Sequence, residues 1–141
     1  MITKEVIERA TTHRRHLHMY PEVSGEEVET TRFIRETLEA MGLVCWDLQS
    51  KTGVVAEIGN GEGPTLALRA DIDALPIVEQ TGLDYASKNE GAMHACGHDF
   101  HTASLLGAVQ VLKAQEDTLQ GKVRFIFQPA EESNRGARAL I

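Results

Sequence analysis

The sequence predicts a layered α/β domain, on three observations. Two segments with helical spacing of apolar residues open the chain, short apolar runs lie at 54–58, 65–70 and 122–127, and a further helical segment separates the second run from the third. Helices that alternate with apolar strands bury their faces by packing in layers around one sheet. The 141 residues, 42% hydrophobic and 25% charged, suit one globular unit with a substantial core.

Residues 3–18 carry Val6, Ala10 and Leu17 among charged neighbours. That amphipathic helix must stop at Tyr20-Pro21, because proline has no N–H for the ladder and restricts the residue before it. Ser24-Gly25-Glu26-Glu27 has capping-box spacing, Val28, Ile34, Leu38 and Met41 follow at helical intervals, and Gly42 supplies a stop. A second helix is therefore expected over 25–41. Residues 54–58 read as a strand, and after a glycine-rich turn the mostly apolar residues 65–70 read as a central one. Its C-terminal end carries Arg69 and Asp71, at the edge where open α/β sheets bind ligands.

Residues 75–95 show little periodicity, and an irregular connection of that length is uncommon unless functional. Asp99 is placed to cap a helix over 100–114 whose inner face holds Leu105, Val109 and Leu112. Residues 122–127 form the third strand, from whose end Gln128-Pro129-Ala130-Glu131-Glu132 emerges. Residues 137–141 look like the opening of another helix with no stop signal, expected either of a very short final helix or of part of a longer protein.

A formal net charge of −7, with no basic group larger than Arg14-Arg15, argues against nucleic acid as a partner. No apolar stretch approaches the roughly 18 residues of a membrane span, and the N-terminus lacks a signal-peptide core. A cytoplasmic protein is expected. In that reducing setting Cys96, flanked by histidines, reads as a ligand or nucleophile, whereas Cys45 beside Trp46 reads as a core thiol.

The chemistry concentrates in Met93-His94-Ala95-Cys96-Gly97-His98-Asp99-Phe100-His101, which holds three of six histidines and one of two cysteines, with Glu131-Glu132 thirty residues on. Thiolate, imidazole and carboxylate are the donors of borderline-soft divalent metals. Cys96, His98 and one of the two glutamates give the three ligands a catalytic site needs, and the other carboxylate can handle a proton. His94 and His101 are alternative ligands, and Asp71 and Asp73 can orient ligand groups. The residues alone also allow a buried thiol beside a capped histidine and a solvated Glu-Glu helix start. His13, His16 and His18 spread over more than one helical face and read as solvated surface, with His18 nearest a turn.

Four ordered blocks resemble the M20 metallopeptidase family. They are Leu17-His18 with Pro21-Glu22 and Glu26-Glu27, Leu68-Arg69-Ala70-Asp71-Ile72-Asp73-Ala74-Leu75-Pro76, Met93 to Asp99 with His101, and Phe127-Gln128-Pro129-Ala130-Glu131-Glu132. The subgroup they resemble is the amidohydrolases of N-acyl amino acids, such as hippurate and auxin-conjugate hydrolases. The resemblance implies a three-layer zinc-exopeptidase-like catalytic domain with a central mixed sheet, of which residues 1–141 form the N-terminal portion. It implies two divalent ions, zinc, manganese, nickel or cobalt, with Cys96 bridging them, His98 and Glu132 as terminal ligands and Glu131 as general base. Arg69 stands where peptidase relatives have a metal-binding histidine, which leaves Asp71, Asp73, Asp99 and His101 to lie behind the ligands or against substrate. A small N-acyl amino acid is the implied substrate, and a homodimer formed through a lid domain is the implied assembly. The competing reading is a non-catalytic metal-binding or redox domain with one structural zinc; a Cys96–His98 nucleophilic pair is a third.

Overall fold

The computed structural model describes residues 2–140. Helix α1 spans Lys4–Met19 and starts at Thr3, whose hydroxyl accepts from the Val6 N–H. Helix α2 spans Val28–Ala40, and its start corrects the capping-box expectation. The Ser24 hydroxyl donates to Asp73 instead, and Glu27 makes no capping bond. The orphan N–H groups of the first turn go to Glu22, whose carboxylate accepts from Glu29 N at 3.1 Å and Thr30 N at 2.7 Å. Glu22→Ala is expected to cost about 1 kcal/mol, as loss of an N-cap does, measured by denaturant unfolding.

Strands β1 (Val54–Ile58), β2 (Thr65–Asp71) and β3 (Lys122–Gln128) form one sheet in the order β1-β3-β2. Pairing of β3 is antiparallel to β1 and parallel to β2, with Asp71 level with Gln128. Helix α3 (His98–Lys113) makes the crossover between the parallel strands. Among the described residues β3, not β2, has a strand on each side, and Leu66 of β2 is 60% exposed. An apolar run reports hydrophobicity, not the number of strand neighbours.

One face of the sheet is covered by helices. Alternation along β3 points Val123, Phe125 and Phe127 inward to meet Ile34 and Leu38 of α2 and Leu105, Leu106 and Val109 of α3. Full burial of each of these aliphatic side chains contributes about 1.5–3 kcal/mol. Helix α1 lies on the far side of α3, where Gly107 leaves room for Val6 and Ala10. On the opposite sheet face Glu57 accepts from Lys122 and Arg124, and the Arg124 guanidinium sits 4.6 Å from the Trp46 ring. Cys45 is buried and Cys96 half-buried, both free.

The connection between β2 and α3 is irregular, as expected, but stitched down. Leu75 pairs with Met93, Ala74 N donates to Glu22 O, and Lys88 N donates to Met19 O. A last helix, α4, is confined to Gly136–Ala139, and the sequence expectation for Ile141 lies outside the described residues. Among those residues no helix is long and apolar enough to cross a membrane.

Candidate metal centre

Parallel pairing brings the C-terminal ends of β2 and β3 to one edge of the sheet, and the crossover begins α3 at that same edge. From β2 the chain delivers Asp73, from the α3 turn Cys96 and His98, and from β3 Glu131 and Glu132. Two backbone conformations make the delivery possible. Gly97, the residue before α3, has φ +90°, a left-handed conformation that glycine adopts without a Cβ clash. Ala130 has φ +51°, unusual for a side-chain-bearing residue, and turns the chain sharply after β3.

Ligand atoms of Cys96, His98 and Glu132 lie within 4.8 Å of one another. The His98 Nε2 is 3.9 Å from Glu132 Oε1 and 3.9 Å from Glu131 Oε2, so both carboxylates of the pair face the imidazole. Behind this group sits Asp73, fully buried. Its backbone oxygen lies 2.9 Å from His98 Nδ1, and its Oδ1 lies 3.3 Å from the same nitrogen. Its Oδ2 accepts from Ser24 Oγ at 2.6 Å and Glu132 N at 3.0 Å.

Burial alone would raise the Asp73 carboxyl, but hydrogen bonds from His98, Ser24 and the Glu132 N–H outweigh it and hold the group below the usual carboxylate range. The His98 imidazole is raised by its bond to Asp73 and then by the neighbouring Cys96. An acceptor that fixes Nδ1–H, here the Asp73 backbone oxygen with the carboxylate beside it, leaves Nε2 as the free donor and raises its basicity toward any cation. Thiol, imidazole and carboxylate donors clustered this way fit a divalent ion.

The remaining expected residues divide. Asp71, with its side chain turned to Arg69 at 3.0 and 2.7 Å, lies apart from the ligand group and only its backbone oxygen touches α3, accepting from Thr102 Oγ1. His101 is exposed, its ring 5.8 Å from that of His98. His94 is buried, both ring nitrogens lack a hydrogen-bond partner among the described residues, and burial pushes its pKa down to about 4.

Asp99 does not cap α3 from outside but sits in its first turn, 1% exposed. Its Oδ1 accepts from Phe100 N, while Oδ2 meets Arg14 Nε at 2.9 Å and His18 Nδ1 at 2.7 Å. His18 is therefore no solvated surface residue: it is buried between Asp99 and Glu79. His13 and His16 instead pack on Phe33 at the partly exposed face of α1. Ser24, Glu27 and Glu79 escaped the sequence reading because their partners lie far along the chain.

Fold and site together define the class: an α/β domain that gathers a thiol, an imidazole and two carboxylates at one sheet edge, the donor set of a divalent-metal centre. A family model described as peptidase family M20/M25/M40 matches residues 67–141, more than half of the chain, and the chain belongs to that family. It is 61% identical over 129 residues to N-acetyl-L-cysteine deacetylase of Bacillus subtilis, covering 91% of this chain and 31% of that protein. It is 47% identical to IAA-amino acid hydrolase ILR1-like 5 of Arabidopsis thaliana, covering 91% of this chain and 29% of that one. Among solved structures, the Bacillus subtilis YXEP protein, described as a dinuclear metal binding peptidase from the M20 family, superposes with a TM-score of 0.93 at 55% identity, covering 96% of this chain and 38% of that one. The chain thus spans about a third of the length of the curated relatives it matches.

Proposed function

We propose that the whole protein is a metal-dependent amidohydrolase that cleaves the amide bond of N-acyl amino acids. The observation that carries this reading is the Cys96–His98–Glu132 group with the Glu131 carboxylate facing it across His98 Nε2. Its relation to a deacetylase of N-acetyl-L-cysteine and to a dinuclear metal binding protein supports the substrate class and the metal count. Cys96 Sγ, His98 Nε2 and a Glu132 oxygen would help to hold two divalent ions, drawn from zinc, manganese, nickel and cobalt. Bound there, such ions supply Lewis acidity that polarises a carbonyl and acidifies water.

Glu131 does the proton work. Its carboxylate accepts a proton from water as the water oxygen bonds to the scissile carbonyl carbon, then delivers that proton to the amide nitrogen as the C–N bond breaks. The products are a carboxylic acid and a free amino acid. Asp73 keeps His98 in one orientation throughout, through Nδ1.

Elemental analysis of the whole protein, paired with an assay on N-acetyl amino acids, tests the reading. Two ions per chain and turnover that a chelator abolishes are expected. One tight ion without turnover would instead indicate a structural zinc, and chelator-insensitive turnover lost to iodoacetamide would make Cys96 a nucleophile.

A further inference from the structure

Glu27 is 0% exposed, and one hydrogen bond accounts for it: its Oε1 accepts from the Ala130 N–H at 2.7 Å, across 103 residues of chain. Its Oε2 is buried without a hydrogen-bond partner among the described residues. A buried polar atom left this way is destabilising, and α2 gains nothing in return, since the Glu27 side chain does not cap it. Whatever the carboxylate contributes lies at its other end.

That end is the hinge on which Glu131 hangs. Ala130 is buried and left-handed, at φ +51°, a conformation that strains an L residue with a Cβ. Its carbonyl is held by Arg135 N, Gly136 N and Ser133 Oγ, each at 3.2 Å. Gly136 is so close that a Cβ there would lie 1.5 Å from the Pro129 oxygen. The carbonyl side of Ala130 is thus locked by its own loop, and the N–H side by Glu27 alone. Without that acceptor the buried N–H is orphaned, the strained φ is free to relax, and rotation about it swings Glu131.

We propose that Glu27 is a positioning residue for Glu131: its carboxylate clamps the Ala130 N–H and so fixes the direction in which the general base is presented. The inference rests on the reading of Glu131 as that base. Positioning through a main-chain contact requires an acceptor at Oε1 and no negative charge, which sets it apart from an electrostatic role. Glutamine keeps a carbonyl oxygen at that position, whereas methionine keeps the length and loses the acceptor.

In the metal-loaded whole protein, Glu27→Gln should keep kcat within about threefold of the parent. Glu27→Met should lose about 100-fold in kcat, the scale of a reacting group misplaced by an ångström, with KM and bound metal unchanged. A Glu27→Met protein with parental kcat, or equal losses in both variants, overturns the clamp. If Glu27→Met does not fold, Glu27→Asp replaces it. Aspartate keeps the charge but draws the acceptor back by one methylene, so a kcat loss at constant KM is expected and parental kcat overturns the proposal. Glu131→Gln run in parallel separates the two readings. Turnover retained in that variant removes the general base and the clamp with it, whereas an inactive Glu131→Gln beside a fully active Glu27→Met removes the clamp alone.

Discussion

Glu131→Gln in the metal-loaded whole protein should lower kcat for N-acyl amino acid hydrolysis by about 10²–10⁴-fold, the usual contribution of a positioned general base, while bound metal stays unchanged. The split follows from geometry. Both glutamates reach within 3.9 Å of His98 Nε2, but Glu132 alone of the two joins the group with Cys96. Glutamine fills the same volume and leaves the three ligands in place, but its amide has no basicity with which to take a proton. Steady-state kinetics and elemental analysis on the same preparation check both halves. Undiminished turnover would remove Glu131 from the mechanism, and loss of metal would make it a ligand.

Asp73→Ala should weaken metal binding by about 10-fold, the low end for a change behind a histidine ligand, because the Asp73 backbone oxygen 2.9 Å from His98 Nδ1 survives the substitution. It should also lower stability by about 1–3 kcal/mol, because the Ser24 hydroxyl and the Glu132 N–H lose their acceptor. One substitution removes the carboxylate beside His98 Nδ1 and the acceptor for both Ser24 Oγ and Glu132 N. Asp71→Ala provides the contrast. Its carboxylate, 18% exposed, accepts from Arg69 and makes no hydrogen bond to His98 or Glu132 among the described residues, so metal affinity close to the parent's is expected. Chelator-competition titrations and denaturant unfolding read the two effects, and equal metal affinity in both variants would refute the role given to Asp73.

The parts of the fold legible in the sequence are those governed by local periodicity. Apolar spacing placed α1, α3 and the three strands to within a few residues, because each buried face repeats within its own element. The grouping of Cys96, His98 and Glu132 was legible because Cys96 and His98 lie two residues apart in one turn and the glutamates are adjacent. Neighbour order was not legible. The strand at 65–71 is apolar enough to be central, yet among the described residues β3 holds that place.

Long-range polar pairing was equally hidden. Ser24 and Glu27 fit a capping box by spacing, but in the fold one serves Asp73 and the other Ala130. Asp99 fits a cap by position, but its carboxylate also serves Arg14 and His18. A side chain that satisfies a distant partner leaves no periodic trace. Its local chemistry then suggests whichever nearby role the residue type favours.

Those distances along the chain also bear on when the site forms during folding. The bonds that fix its periphery join residues 49, 59, 81 and 103 positions apart, whereas the helices close through neighbours three and four residues away. Loop-closure entropy must be overcome before contacts so remote in sequence return any free energy. The scaffold of α1, α3 and the strands is therefore expected to gain amide protection first, with the amides of Ala130 and Glu132 protected in the final phase. Pulse-labelled hydrogen exchange during refolding would show that order, and early protection at Ala130 would reverse it.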